Sequence, residues 1–164
     1  MIYLNIGSNL SSPLGDRFDN ILYAIKHLLS QKIKIKKISS FFETPSYPNK
    51  TFPKFINISL EIYFTKNPKI LLSEILKIEK KIYRIRSIKN ASRTCDIDII
   101  DYNGKILNSK NLILPHPSAH LRNFVLIPLR EIAPNWIHPL LNQKIDILIR
   151  NLSLKSRNEI TRIE

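Results

Sequence analysis

The sequence predicts an α+β fold of the ferredoxin-like kind, in which β-α-β-β-α-β elements form an antiparallel sheet with packed helices. Apolar and polar residues alternate over 55–64, which is typical of a strand with one buried face. Two segments, 13–29 and 68–82, instead carry apolar residues at helical spacing. These helices alternate with strand-like runs. An appended hairpin and C-terminal helices complete the expected fold.

The first half of the chain divides clearly into elements. Residues 2–6 are predicted as the first strand, which ends at Gly7. Ser12-Pro13 is a helix-start signal, since a capping hydroxyl precedes proline in the first turn. A second strand is predicted to begin at Ile33 and to run toward Phe42. Three prolines indicate a loop over 44–53.

The third strand is the clearest element, and its two faces differ. One face is apolar and consists of Ile56, Ile58, Leu60, Ile62 and Phe64. The other carries Phe55, Asn57, Ser59, Glu61 and Tyr63. Asn67-Pro68 then starts the second helix, whose apolar stripe is Leu71, Ile75, Ile78 and Ile82.

A strand around Asp96 to Ile100 follows, and Asn103-Gly104 is the strongest hairpin-turn signal in the chain. Leu112–Leu114 is predicted as its return strand, and 144–151 as a weak helix. The tail after Leu152 carries no clear signal. We expect the whole chain, 1–164, to form a single domain, because its length suits one core.

Two acidic residues interrupt the strand that otherwise reads as buried. Asp96 and Asp98 are two apart, so their side chains share one face at about 7 Å along the strand. Carboxylates this close repel each other, so removal of either is expected to maintain or raise the stability of the unliganded fold. Mg²⁺ is commonly held by one or two carboxylates together with phosphates, and Arg93 suits phosphate oxygens. The open alternative is an edge strand with both carboxylates in water.

Composition excludes several classes of protein. The formal net charge is +13, but the lysines are scattered, so we expect no nucleic-acid partner. The chain has 3 glycines and no glycine-rich phosphate loop, and no apolar run is long enough to span a membrane. Cys95 is the single cysteine, so an intrachain disulfide is excluded. We expect Cys95 to be a small residue of the core. No signal peptide is evident, and we expect a cytoplasmic location.

Other candidate sites each have an ordinary structural alternative. An exposed Phe55 with Asn57 two residues on suits a flat heterocycle, and the alternative is a minor core under the long loop. His116 and His120 have a spacing that zinc sites use, but no second ligand pair accompanies them. Glu79, next to the core stripe, is either a solvated helix charge or an acid near the Arg84–Arg86 run, and from its position alone we favour the solvated charge.

Several motifs occur in the order found in one enzyme family. They are 89–100 (KNASRTCDIDII), 6–10 (IGSNL), 39–45 (SSFFETP), 55–57 (FIN), 114–116 (LPH) and 122–124 (RNF). Together they resemble 6-hydroxymethyl-7,8-dihydropterin pyrophosphokinase, an enzyme of the folate pathway. The resemblance covers nearly the whole chain.

The resemblance implies an activity and a set of small-molecule partners. The enzyme moves the β,γ-pyrophosphate of ATP to the hydroxymethyl group of the pterin and releases AMP. Two Mg²⁺ ions with ATP as co-substrate are implied, held by Asp96 and Asp98. The expected partners are ATP and hydroxymethyldihydropterin. We expect a monomer that binds neither nucleic acid nor membranes.

The resemblance also implies roles for individual residues. The catalytic group consists of Arg84, Arg93, Asp96 and Asp98. The pterin would stack between Phe55 and Phe124. Asn57 and the Thr44 backbone would form hydrogen bonds with its polar edge. The nucleotide would contact Arg84, Arg93, Ile100, His116 and Arg122.

One departure from the family pattern lies in the loop before Arg93. Asn90-Ala91-Ser92-Arg93 stands where the family usually has Trp-Gly-Pro-Arg, and the loop from Arg86 is one residue shorter. We expect the stretch from Arg84 to Arg93 to order on ATP, because its arginines lack counter-charges in the free protein.

Two other functions remain open from the residues alone. A two-metal phosphodiesterase or nuclease would share the paired acids but should carry further metal-binding carboxylates. A basic RNA-binding module of ferredoxin-like fold would need an aromatic RNA-binding motif on central strands, which the sequence does not show.

Overall fold

The computed structural model of the chain describes residues 1–46, 49–85 and 92–163. None of the helices within these ranges combines the length and apolar character that a bilayer crossing requires. The elements are β1 (Ile2–Ser8), α1 (Arg17–Ser30), β2 (Lys34–Ile38), β3 (Phe41–Thr44), β4 (Phe55–Tyr63), α2 (Pro68–Lys81), β5 (Asp96–Tyr102), β6 (Leu107–Ser109), β7 (Leu112–Leu114), a 3₁₀ helix (Ala119–Leu121), α3 (Asn123–Ile132), α4 (Ile145–Asn151), α5 (Leu154–Asn158) and β8 (Thr161–Ile163).

The main sheet is antiparallel and has the strand order β5-β1-β4-β3-β8, with β2 also pairing with β4. This arrangement confirms the predicted α+β fold. Helices α1 and α2 cover one face, where the stripe Leu71, Ile75, Ile78 and Ile82 is buried as predicted. Asn67 caps α2 and Cys95 lies in the same core.

The C-terminal helices α3 and α4 pack on the other face of the sheet. Tyr3 and Ile100 point to that side and pack with residues of α3 and α4 in a second core. The polar face of β4 is therefore covered rather than open to solvent, and Asn57 and Ser59 are buried. This second layer brings the residues at the start of α3 to the edge where β1 ends and where β4 and β5 begin.

Two predicted boundaries in the first half were wrong. Helix α1 begins at Arg17, because Asp16 and Asp19 form a capping box there. Ser12 instead pairs with Gly15 in a tight turn, and the φ of +138° at Gly15 suits glycine. The second strand is interrupted after Ile38, where Ser39 bonds to Ser59 through both its backbone and its hydroxyl.

One predicted strand pairing in the second half was also wrong. The turn at Asn103-Gly104 exists, with φ of 54° and 70°, but β7 pairs with β6 and not with β5. The outer edge of β5 is met by Glu79 of α2, which accepts a hydrogen bond from the Ile97 N–H. The tail, which lacked a sequence signal, contains β8, and this strand pairs with β3.

Candidate active site

Strand β1 lies between β4 and β5 and aligns the parts of the site. Gly7 is opposite Asn57 on one side and opposite Asp96 on the other. A Cβ atom at Gly7 would lie 2.9 Å from Asn57 Oδ1 and 3.5 Å from Phe55 Cδ1. Glycine therefore lets the Asn57 amide sit close against the central strand, one strand away from the acidic pair.

Asp96 and Asp98 share one face of β5, while Ile97 between them is buried in the core. Their side chains are 23% and 29% exposed, so neither is simply solvated. Arg84 Nη1 donates to Asp96 Oδ1, and Arg93 Nη1 donates to Asp96 Oδ2 at 2.5 Å. The edge-strand alternative was right that β5 ends the sheet, but the carboxylates lie among basic groups.

Asp98 has a different pair of basic neighbours. Its Oδ2 lies 3.5 Å from Arg122 Nη1 and 3.8 Å from His116 Nε2. Burial raises the pKa of Asp98 to about 7, with repulsion from Asp96 adding to the effect and Arg122 opposing it. Burial and the nearby Arg122 lower the pKa of His116 to about 4, so its imidazole is neutral at pH 7.

Glu79 belongs to this cluster, and its interpretation as a solvated charge was wrong. It is 2% exposed, and its Oε1 accepts from Arg84 Nη1 at 2.8 Å. The signal was present in the sequence, because Glu79 lies one helical turn after Ile75 and so shares the buried face of α2. The expectation that Arg84 and Arg93 lack counter-charges was also wrong, since Asp96 and Glu79 supply them.

The residues predicted to hold a flat ring lie beside the charged cluster. The Arg93 guanidinium carbon is 5.5 Å from the Phe55 ring centre, and Arg122 is 5.5 Å from that of Phe124. These are cation–π distances. Asn57 Nδ2 donates to Thr44 Oγ1 at 3.1 Å, which fixes the orientation of the amide. Each predicted aromatic side chain is thus linked by an arginine to one of the two carboxylates.

Asn9 was not recognised as a site residue, although it fell inside a motif. It is buried, and its Nδ2 donates to Ser46 Oγ, Pro53 O and Ser92 Oγ, at distances of 3.2, 3.0 and 3.0 Å. Its Oδ1 accepts from the Arg93 N–H at 2.7 Å. Asn9 thereby ties the loop after β3 to the segment that carries Arg93. Only its place directly after the first strand pointed to such a function.

The remaining predicted residues lie in two regions. The Ile100 side chain is in the second core, and its carbonyl accepts from the His116 N–H at 2.9 Å. Ile100 therefore positions the segment that carries His116. Asn90, and most of the stretch expected to order on ATP, belong to residues 86–91, which lie outside the described residues.

The acidic pair fits Mg²⁺ better than zinc. Among the described residues, no three His, Cys, Asp or Glu side chains converge as a metal-binding group. A pair of partly exposed carboxylates with arginines around it suits an ion whose other ligands are phosphate and water. His116 and His120 do not form a zinc pair, because His116 faces Asp98 and His120 contacts His138.

Comparison with known proteins identifies the family. The family model described as 7,8-dihydro-6-hydroxymethylpterin-pyrophosphokinase (HPPK) matches residues 3–134. The chain is 39% identical to the folic acid synthesis protein FOL1 of Dictyostelium discoideum over 142 residues, which cover 87% of this chain and 21% of that protein. It is 37% identical to the 2-amino-4-hydroxy-6-hydroxymethyldihydropteridine pyrophosphokinase of Aquifex aeolicus over 139 residues, 85% of this chain and 84% of that one.

The fold agrees with a solved structure. The crystal structure of wild-type Plasmodium falciparum HPPK-DHPS with pteroate superimposes with a TM-score of 0.67 at 18% identity, covering 90% of this chain and 41% of that chain. The chain thus spans less than half of that protein and about a fifth of the Dictyostelium relative. The resemblance found in the sequence motifs is confirmed, and the chain belongs to the 7,8-dihydro-6-hydroxymethylpterin-pyrophosphokinase family.

Proposed function

We propose that the protein transfers the β,γ-pyrophosphate of ATP to the hydroxymethyl oxygen of 6-hydroxymethyl-7,8-dihydropterin and releases AMP. The observation that carries this proposal is the acidic pair on β5. Each carboxylate has two basic neighbours, and arginines connect the pair to Phe55 and Phe124. Family membership and this arrangement support the same chemistry.

The reaction exchanges one phosphorus–oxygen bond for another. The hydroxymethyl oxygen forms a bond to the β-phosphorus and gives up its proton to water. The bond from that phosphorus to the oxygen bridging the α-phosphate breaks, and AMP leaves with that oxygen and the bonding electron pair. Such transfers depend mainly on positioning and on charge stabilisation, so a strong general base is not required.

In this transfer, basic and acidic side chains would have different roles. Arg84, Arg93 and Arg122 would contact phosphate oxygens, and the neutral His116 would donate a hydrogen bond to them. Two Mg²⁺ ions, which we propose are held by Asp96 and Asp98, would supply charge neutralisation of the triphosphate.

The pterin would occupy the side of the site built by β3, β4 and the start of α3. Phe55 and Phe124 would stack on its ring, while Asn57 and the Thr44 backbone would bind its polar edge. We further propose a single domain over 1–164 that works as a monomer in the cytoplasm. Light scattering of the purified protein, with and without ligands, tests the oligomeric state.

The deciding experiment is an AMP-release assay with purified protein. AMP should appear only when ATP, the hydroxymethyl pterin and Mg²⁺ are all present, and EDTA should abolish it. Cleavage of phosphodiesters would favour the nuclease, and salt-sensitive RNA binding without turnover would favour the RNA-binding module. AMP release that does not depend on the pterin would overturn the proposal.

Phe124→Ala is expected to weaken pterin binding about tenfold and to leave ATP binding within about twofold. The ring is half-buried and covered by Arg122, so its removal takes away stacking worth about 1 kcal/mol beyond simple burial. Calorimetric titration of each ligand measures the effect. Tyr63→Ala, at the far end of β4, serves as the aromatic control. Equal losses for both ligands would show that Phe124 serves folding instead.

Gly7→Ala is expected to weaken pterin binding by about tenfold through crowding. The new methyl group would lie 2.9 Å from Asn57 Oδ1, so the amide must move from its bond with Thr44. Gly104→Ala is the control, because its φ of +70° strains the backbone while nothing lies within 4 Å. The control should lower the melting temperature without changing pterin affinity. Normal affinity in Gly7→Ala would show that the Asn57 amide is not part of the pterin site.

A further inference from the structure

The buried Glu79 side chain contacts two parts of the acidic site, strand β5 and Arg84. Its Oε1 accepts from the Ile97 N–H at 2.9 Å, and Ile97 is the residue between Asp96 and Asp98. The same oxygen accepts from Arg84 Nη1 at 2.8 Å, and the Glu79 carbonyl accepts from the Arg84 N–H at 3.0 Å. One buried side chain therefore contacts the strand that carries the acids and the arginine that covers one of them.

Asp96 must share its negative charge between its arginines and any cation that it binds. In the structure Arg84 bonds to Oδ1 and Arg93 bonds to Oδ2, so both oxygens already accept charged hydrogen bonds. A cation that binds Asp96 therefore competes with these guanidinium groups for the negative charge of the carboxylate and weakens their hydrogen bonds to it. Arg84 is the more deeply buried of the two, with 10% of its side chain exposed, and a buried cation without a counter-charge is strongly unfavourable.

Glu79 supplies the counter-charge that remains when Asp96 is taken. We propose that Glu79 is a positioning residue that holds Arg84 in place while Asp96 passes from its arginines to a divalent cation. This proposal rests on the proposed function, in which Asp96 is a metal ligand. Through Ile97, Glu79 also fixes the backbone of β5 at the point where the two carboxylates project.

The test separates the charge of Glu79 from its shape. Gln in Glu79→Gln keeps an oxygen that can accept from Ile97 and Arg84 but removes the negative charge. Arg84 should then depend more on Asp96 and release it less readily. We expect the dissociation constant of Mn²⁺, measured by electron paramagnetic resonance in the presence of α,β-methylene-ATP, to rise about tenfold, as the loss of a charged hydrogen-bond partner predicts.

Two further variants make the result specific. Glu74→Gln is the matched control, because Glu74 lies on the same helix and pairs with Lys77 at 3.0 Å outside the site. It should change the Mn²⁺ dissociation constant by less than about twofold. Glu79→Asp keeps the charge at a shorter reach, and we expect a loss of about threefold, smaller than that of the Gln variant. It also replaces the Gln variant if that protein does not fold.

The outcomes distinguish this proposal from the proposed function. Unchanged Mn²⁺ binding in folded Glu79→Gln, or losses as large in Glu79→Asp as in Glu79→Gln, would overturn the counter-charge role. A wild-type protein that binds Mn²⁺ with the nucleotide but makes no pterin-dependent AMP would instead overturn the proposed reaction and leave the proposal for Glu79 standing. A uniform fall in active fraction with unchanged Mn²⁺ affinity would show that Glu79 is only structural.

Discussion

Asparagine in place of Asp98 is expected to lower turnover about a thousandfold without making the unliganded protein less stable. The loss follows from removing a metal ligand beside a polyanionic substrate, since metal-ion stabilisation is worth several kcal/mol and each 1.36 kcal/mol is tenfold in rate. AMP release at saturating ATP and Mg²⁺ measures it. Near-normal activity of Asp98→Asn at low Mg²⁺ would contradict the assignment of Asp98.

The stability of Asp98→Asn should depend on pH in a defined direction. Burial raises the pKa of Asp98 to about 7 in the folded protein, whereas the unfolded value is near 4. Between these values the folded state binds more protons than the unfolded state, so wild-type stability falls as pH rises from about 4 to about 7. Asp98→Asn lacks this loss of stability. In EDTA, its melting temperature should exceed that of the wild type by the largest amount above pH 7. Asp146→Asn, at an exposed ion pair, should show neither effect.

Asp96 does not behave like Asp98, although the sequence suggests an equivalent pair. Repulsion alone predicts that removing either carboxylate maintains or raises stability. In the structure Asp96 accepts from Arg84 and Arg93, so its replacement removes a charged acceptor from two guanidinium groups. The expected gain in stability therefore applies to Asp98 only.

Arg84→Ala is expected to lower the free energy of unfolding by about 3 kcal/mol or more and to reduce turnover by at least about a hundredfold. Removal of the guanidinium breaks its ion pair with the buried Glu79, and breaking one side of a buried ion pair typically costs about 3–5 kcal/mol. A phosphate contact is lost as well, and hydrogen bonds between charged groups are among the strongest. Denaturant titration gives the first quantity and the AMP assay gives the second.

Arg130→Ala is the matched control for this prediction. Arg130 also pairs with a carboxylate, but its side chain is 57% exposed and that of Asp146 is 50% exposed. Exposed pairs contribute about 1 kcal/mol or less, so this variant should be nearly as stable as the wild type and fully active. Similar losses in both variants would mean that burial of the Glu79–Arg84 pair has no special effect.

The sequence predicted the elements with strong periodic patterns. Strand β4 and helix α2 have long regular stripes, and both lie where the alternation and the Asn67 cap indicate. The errors fall where a local signal was ambiguous or short. The prediction used Ser12-Pro13 as the capping signal, whereas the structure closes a turn at Gly15 and caps α1 with Asp16. Strand β8 has three residues, too few for a period to be recognised.

The site shows the same division between local and tertiary information. Strand parity alone predicted that Asp96 and Asp98 share a face, and the structure confirms it. The alternation of side chains along the strand does not predict which basic groups contact these carboxylates, because Arg122 and His116 lie in a different part of the chain. Glu79 was misjudged for a related reason. Its helical spacing from Ile75 placed it on the buried face, but a charge on a helix is usually solvated, and the contacts with Arg84 and Ile97 that make its burial favourable are tertiary.

The hydrogen bond from the Arg93 N–H to Asn9 joins residues that are 84 positions apart in the chain. Closing a loop of this length costs conformational entropy, which the contacts between the two distant segments must offset. Neither segment can form the site alone, so ligand binding reports on the complete tertiary structure rather than on secondary structure.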